Sequence, residues 1–298
     1  MAENQNNLRN IQWYPGHMTK TKRMISANLK DVHLVAEVVD ARIPISSRNP
    51  QIDTLCKNKP RIILLNKCDM ADALATAKWV SYFKNKGFAV MTMDCKSGKG
   101  VKNFGHAVRE LMSDYIEKCK ARGMSGYQLR VMVVGVPNVG KSSFINKIAG
   151  GKRAKVEDRP GVTRGKQWIK IDENLELLDM PGILWPKFED VTVGEHLAFT
   201  GAIKDDTMDL EYIAGQFLWL MKEKYPQLLF DRYKVDPEKL EQCNMGFDVL
   251  ELVGAKRGML VRGGEVNTER AAIMVLDEYR AGKLGKLTLE YPEDLQNA

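Results

Sequence analysis

Apolar residues along the chain follow two regimes. Up to about residue 205, short β-branched or aliphatic runs alternate with stretches of helical period. The short runs predict strands over 31–40, 60–65, 88–93, 128–134, 167–171 and 175–178. Between them, helices are expected over about 19–29, 71–86, 101–121 and 143–149. The third carries Val108, Leu111, Met112, Tyr115 and Ile116 at helical spacing. Strands alternating with helices define an α/β, doubly wound sheet whose ligand loops sit at the strand C-termini. From about Asp206 the pattern turns helical: an amphipathic stretch over 208–224 ended by Pro226, an Asp236-Pro237 start, and a helix from Thr268 that stops at Gly282. The expected division is residues 1–205, with a basic N-terminal arm over 1–30, and a smaller, mainly α-helical domain over 206–298.

One strand, turn and helix carries the strongest chemical signal. Gly135-Val-Pro-Asn-Val-Gly140-Lys141-Ser142 fits G-x-x-x-x-G-K-[ST] and lies between a buried strand and a helix. Glycines let backbone N–H groups close around phosphates, and the helix N-terminus adds partial positive charge. Lys141 is expected to reach the β/γ-phosphates and the Ser142 hydroxyl to ligate Mg²⁺. Asn138, Val139, Gly140 and Ser143 complete the expected cradle.

The strand over 60–65 runs straight into Asn66-Lys67-Cys68-Asp69. A carboxylate there can accept from both the ring N–H and the exocyclic amine of guanine, a donor pair adenine lacks. Asn66 is expected to tie this base loop to the phosphate loop, and the Lys67 stem to cover the base. In Asp94-Cys95-Lys96, the Cys95 N–H is expected to meet the guanine oxygen. Asp179-Met-Pro-Gly182 supplies a carboxylate near Mg²⁺ and a glycine N–H for the γ-phosphate. Thr163 is the candidate switch threonine. These motifs occur in a rotated order, base loop before phosphate loop, which a sheet with neighbouring ends tolerates. Ile183 follows the glycine, where many GTPases carry Gln, and it has no group to orient a water.

Composition narrows the setting. The chain has 298 residues, 44% hydrophobic and 28% charged, with net charge +7. Residues 1–205 hold 33 Lys/Arg against 21 Asp/Glu, whereas 206–298 hold 12 against 17. The positive field belongs to the nucleotide-binding part and favours a polyanion such as RNA. No apolar run approaches the roughly 20 residues of a membrane span, and the N-terminus lacks a signal core, so no membrane partner and a cytoplasmic location are expected. Five scattered cysteines without a C-x-x-C pair read as reduced thiols. Trp13-Tyr14-Pro15-Gly16-His17 precedes a basic run in which no acid occurs between Glu3 and Asp31.

Taken together, Trp13 to Met18, Asp40-Ala-Arg-Ile-Pro44, Asn66 to Asp69, Gly135 to Ser142, Pro160-Gly-Val-Thr163, Asp179 to Gly182, Asn267 to Ala272 and Gly282-Lys-Leu-Gly285 resemble the circularly permuted GTPases. Within them they resemble the bacterial ribosome biogenesis GTPase A (YlqF/RbgA) family. The resemblance spans nearly the whole chain. It departs at Cys95, where many GTPases have Ala. It implies a GTP hydrolase, with GTP/GDP and Mg²⁺ as its ligands, that acts late in assembly of the large ribosomal subunit and is stimulated by that particle. It points at His17 as the replacement for the missing Gln; a role for His17 as an RNA contact stays open. By analogy with potassium-activated GTPases, Asn138 is a candidate K⁺ ligand. Mg²⁺ would be held by Ser142, Thr163 and Asp179. Lys20, Lys22, Arg23, Arg164, Lys256, Arg257, Arg262 and Arg270 are candidate RNA contacts, and a monomer is expected. The alternative is a non-catalytic, rRNA-binding assembly factor that only senses GTP against GDP.

Overall fold

The computed structural model describes residues 16–124, 126–150, 167–185, 188 and 190–296. The chain divides into two compact units, Tyr14–Lys187 with Thr288–Ala298, and Phe188–Leu287. The helical unit thus begins earlier than the expected boundary at 206, and the last eleven residues return to the first unit.

In the first unit α1 (Gly16–Asn28) precedes β1 (Leu34–Asp40), α2 (Pro50–Leu55), β2 (Arg61–Asn66), α3 (Ala73–Asn85) and β3 (Ala89–Thr92). Then come α4 (Phe104–Leu111), α5 (Ser113–Ala121), β4 (Leu129–Val134), α6 (Lys141–Ile148), β5 (Gln167–Asp172) and β6 (Leu175–Asp179). The helix expected over 101–121 bends at Met112. Hydrogen bonds from Met112 N to Val108 O and from Ile116 N to Met112 O, both 3.0 Å, continue across the bend.

The strands form one sheet in the order β3-β2-β1-β4-β6-β5, parallel except for β5. Every residue of β1 is buried. Because successive side chains point to opposite faces, both faces of the sheet centre are covered, as a doubly wound sheet requires. Under β1 and β2, Val39, Ala41, Ile63 and Leu65 pack with Ala71, Trp79 and Phe83 at and after the base loop. Phe104 and Phe144 meet edge-on at 5.0 Å, joining α4 to α6. From β1 the chain winds outward through β2 and β3, then returns to β4 on the other side of β1. The gap between β1 and β4 is therefore the topological switch point, where such sheets bind ligands.

The second unit holds α7 (Val191–Phe199), α8 (Leu210–Lys224), α9 (Pro226–Tyr233), α10 (Pro237–Gln242), α11 (Gly246–Lys256) and α12 (Thr268–Arg280). Start signals act as expected: Asp236 accepts from Glu238 N at 3.0 Å and Asn267 from Arg270 N at 2.9 Å. Rings of Phe199, Phe217 and Tyr279 form its core, with centroids 5.3 and 4.6 Å apart. Arg280 donates to the Phe199 and Ala198 carbonyls at 3.1 and 3.0 Å, satisfying the end of α7. Where α8 meets α11, a Cβ on Gly246 would lie 2.2 Å from Gly215 O, so glycine sets that approach.

Candidate functional site

The C-termini of the parallel strands put the motif residues side by side. Asp40 is opposite Asn66 across β1 and β2, and Val133 is opposite Asp179 across β4 and β6. The phosphate loop leaves β4 between them. Its first glycine, Gly135, has φ 152°, and a Cβ there would sit 2.5 Å from Val38 O of β1. Gly140 has φ 97°, and a Cβ there would lie 2.3 Å from Asn66 Nδ2. Only glycine permits both close approaches.

Asn66 is buried and bridges two loops. Its Nδ2 donates to Val139 O at 2.8 Å, and its Oδ1 accepts from Cys95 N at 3.1 Å. The first bond is the tie expected from the sequence. The second gives the Cys95 N–H, expected to meet the guanine oxygen, a partner inside the protein. Asp94 organises the same turn, accepting from Lys96 N at 2.7 Å and Ser97 N at 3.2 Å. Burial pushes the Cys95 thiol up to about 12, so this buried side chain packs rather than reacts.

Lys67 adds a second tie. Its Nζ donates to Asn138 O at 2.7 Å and lies 2.9 Å from Asp40 Oδ2. Lys67 and Asn138 both have left-handed backbones, φ 62° and 59°. Asp40 also binds the fully buried Arg42, through Nε at 3.0 Å and a second guanidinium nitrogen at 2.8 Å. Burial would push the Asp40 carboxyl up, but Arg42 and Lys67 outweigh it and hold it well below the usual carboxylate range. Removing one partner from such a buried set costs about 3–5 kcal/mol. Cys68 N donates to Met93 O at 3.3 Å, placing the base loop over β3. Asp69 ends the loop with a buried Oδ1 that has no hydrogen-bond partner among the described residues. A buried acceptor left unpaired in this way calls for a donor.

On the phosphate side, Lys141 is buried and folds back to donate to Gly135 O at 3.0 Å and Val136 O at 2.8 Å. Burial pulls its pKa down to about 8 against the attraction of Asp179. Burial pushes Asp179 up to about 6, against Lys141 and the Met180 N–H. Asp179 Oδ1 is a second buried oxygen without a partner among the described residues. It and the Ser142 hydroxyl, in the first turn of α6, are hard oxygens of the kind Mg²⁺ takes alongside phosphates. Val139 is buried and Ser143 half-buried beside it. A Cβ on Gly182 would lie 3.0 Å from Pro137 Cα and 3.1 Å from Lys141 Nζ, so Gly182 lies directly against the cradle. Ile183 is fully buried, its N–H donating to Gly135 O at 3.4 Å.

His17 and Lys20 belong to α1, but their side chains lie outside the described residues, as do Thr163 and Arg164 altogether. Lys22 is half-buried and Arg23 exposed. Lys256, Arg262 and Arg270 are exposed in the helical unit. Arg257 is turned to Glu278 at 3.3 Å and over the Tyr233 ring at 5.3 Å. The other histidines pack or face solvent. His33 Nδ1 accepts from Arg130 N, His106 is exposed, and His196 is buried near Phe199.

A mostly parallel sheet with its phosphate loop at the switch point, an Asn-Lys-x-Asp loop beside it and a rotated motif order define a circularly permuted P-loop GTPase domain. The comparisons agree. The family described as 50S ribosome-binding GTPase matches residues 130–224. The chain is 45% identical over 286 residues to ribosome biogenesis GTPase A of Bacillus cereus, covering 95% of each. It is 32% identical to that of Thermotoga maritima, covering 96% of each. Among solved structures, GNP-bound YlqF from Thermotoga maritima matches with TM-score 0.63 and 31% identity, over 92% of this chain and 99% of that one. A GDP-bound YlqF matches with TM-score 0.64 and 29% identity, over 91% and 100%. The chain belongs to the ribosome biogenesis GTPase A family.

Two outcomes follow from this geometry. Asp69→Asn replaces one acceptor by a donor, which suits the second carbonyl of xanthine and not the amine of guanine. GDP affinity is expected to fall at least ~100-fold while xanthosine diphosphate gains, read by competition against a fluorescent nucleotide. The pH dependence has two limbs. Below about pH 6 Asp179 takes up a proton, and Mg²⁺-dependent GDP affinity falls; above about pH 8 Lys141 loses one, and phosphate affinity falls. Asp179→Asn should flatten the acid limb. Stability of the free fold runs the other way. The raised Asp179 pKa favours the fold below about pH 4, and that contribution is lost as pH rises through 6.

Proposed function

We propose that the chain hydrolyses GTP to GDP and phosphate while bound to the maturing large ribosomal subunit, late in its assembly, and that the particle stimulates it. The observation that carries this reading is Ile183. The residue after Asp179-x-x-Gly182 is fully buried and hydrogen-bonded to Gly135 through its backbone, so no side chain at this position can hold the attacking water. Lys141, Ser142, Asp179 and Asp69 supply the groups expected to bind the nucleotide and Mg²⁺. A site built to bind but lacking its water-positioning group calls for that group to arrive with a partner.

His17, in the first turn of α1, is the candidate. Either ring nitrogen can accept from water. Lys141 neutralises charge on the β/γ-phosphates, and Gly182 N–H responds to the γ-phosphate. Thr163 closes over the site when that phosphate is present. Ser142, Asp179 and Thr163 would hold Mg²⁺, which would neutralise phosphate charge when bound. Asn138 is the candidate K⁺ ligand beside them. Lys20, Lys22, Arg23, Arg164, Lys256, Arg262 and Arg270 supply rRNA contacts, with Arg257 already engaged inside the helical unit. Relatives at 45% identity carry the name ribosome biogenesis GTPase A, which supports a ribosomal partner. The working compartment is then the cytoplasm and the working form a monomer.

The test is GTP turnover with and without purified large subunits in potassium buffer. Stimulation of at least ~100-fold is expected, with most of it lost in His17→Ala and a lower rate in NaCl at matched ionic strength. Tight GTP binding with no stimulation would instead favour a non-catalytic sensor of GTP against GDP. Full stimulation of His17→Ala would assign His17 to RNA contact.

A further inference from the structure

Three residues that follow the helical unit in sequence are built into the nucleotide-binding unit. Thr288, Leu289 and Glu290 are all buried. The Glu290 carboxylate accepts from Ile45 N at 2.6 Å and from Ser46 N at 3.1 and 3.2 Å. Its main-chain carbonyl accepts from the buried Trp79 Nε1 at 2.9 Å. Leu289 N donates to Arg42 O at 2.8 Å, and Thr288 Oγ1 accepts from Asp72 N at 3.1 Å. None of these partners is ordinary surface. Asp72 caps α3 three residues after Asp69, and Arg42 is the internal partner of Asp40.

The loop that Glu290 grips touches the nucleotide site at both ends. It begins at Asp40, which holds Lys67 Nζ against Asn138 O of the phosphate loop. It ends at Asn49, whose Nδ2 donates to Ile183 O at 3.2 Å, one residue past Gly182. Ser47 closes the loop, accepting from Asp40 N at 3.0 Å and donating to Ile43 O at 2.7 Å. A single carboxylate holding two N–H groups at the middle of this loop fixes both ends together. Charge-assisted bonds to backbone N–H groups are among the stronger hydrogen bonds in proteins.

We propose that Thr288–Glu290 is a scaffold of the guanine-nucleotide site and that Glu290 is a positioning residue, which sets how long a nucleotide stays bound. This inference rests on the guanine-nucleotide reading of the site. The strap holds the start of α3 through Thr288 and the Asp40 loop through Leu289 and Glu290. The base loop, Asn66 to Asp69, starts opposite Asp40 across β1 and β2 and ends three residues before Asp72. Loosening either anchor frees Lys67 and Asp69 to move away from the base.

The test is the dissociation rate of fluorescently labelled GDP from the full-length chain, measured by displacement in stopped flow. A fall in the folded fraction leaves that rate unchanged, so it separates positioning from general stability. Glu290→Ala is expected to raise the rate about tenfold, with Glu290→Gln intermediate because its amide oxygen keeps one acceptor. Thr288→Val, which keeps the shape but loses the acceptor for Asp72 N, should raise it a few-fold and provides a milder variant if Glu290→Ala fails to fold. Wild-type rates in Glu290→Gln and Thr288→Val, with or without a lowered Tm, would overturn the proposal. If the wild-type chain bound GDP no better than ADP, the guanine reading itself would fail instead.

Discussion

The nucleotide site depends on one buried amide. Asn66 stands at the end of β2, and its side chain joins the phosphate loop at Val139 to the turn at Cys95. Its two bonds use the donor and the acceptor of one amide, which neither Asp nor Leu can reproduce. Gly140 leaves room for it, because any Cβ there would collide with Asn66 Nδ2. The base-reading and phosphate-binding halves, about 70 residues apart in the chain, are thereby held in one frame.

Around that amide the backbone is strained. Lys67 and Asn138, neither of them glycine, both adopt left-handed conformations, at a cost of order 1–3 kcal/mol each. They lie where the two loops touch, and the bond from Lys67 Nζ to Asn138 O joins them directly. The buried Asp40–Arg42–Lys67 set acts on the same loops, and the Glu290 carboxylate holds the loop that begins at Asp40. Asp179 and Lys141, both shifted toward their neutral forms by burial, are a second unfavourable feature that phosphate and Mg²⁺ would relieve. Strain and buried charge therefore concentrate where ligand binding can offset them.

Much of this was legible in the sequence because the motifs impose local geometry. A glycine loop between a strand and a helix has few alternatives, and Asn66-Lys-Cys-Asp69 directly after a buried strand fixes which strand end carries it. The rotated motif order was visible for the same reason, and Asp236 and Asn267 announced their helices as caps. Other features were hidden because they depend on long-range partners. Nothing near Thr288–Glu290 signals that it binds residues more than 200 positions earlier. The bend at Met112 has no Pro or Gly to mark it. The bond from the Cys95 N–H to Asn66 joins residues 29 positions apart, and no local signal announces it. Helices α2, α7, α9 and α11 are short or lie in mixed surroundings, where apolar period alone gives a weak signal.

The central claim is that Asn66 holds the two halves of the site together without being needed for the sheet. Calorimetric titration of GDP into Asn66→Ala, beside near-UV circular dichroism and thermal melting of the same sample, tests it directly. The expected result is a fall in GDP affinity of at least ~100-fold in a protein that keeps its native spectrum and cooperative melt, with destabilisation of about 1–3 kcal/mol from the unpaired Val139 carbonyl and Cys95 N–H. Near wild-type GDP affinity in a folded Asn66→Ala protein would contradict the account.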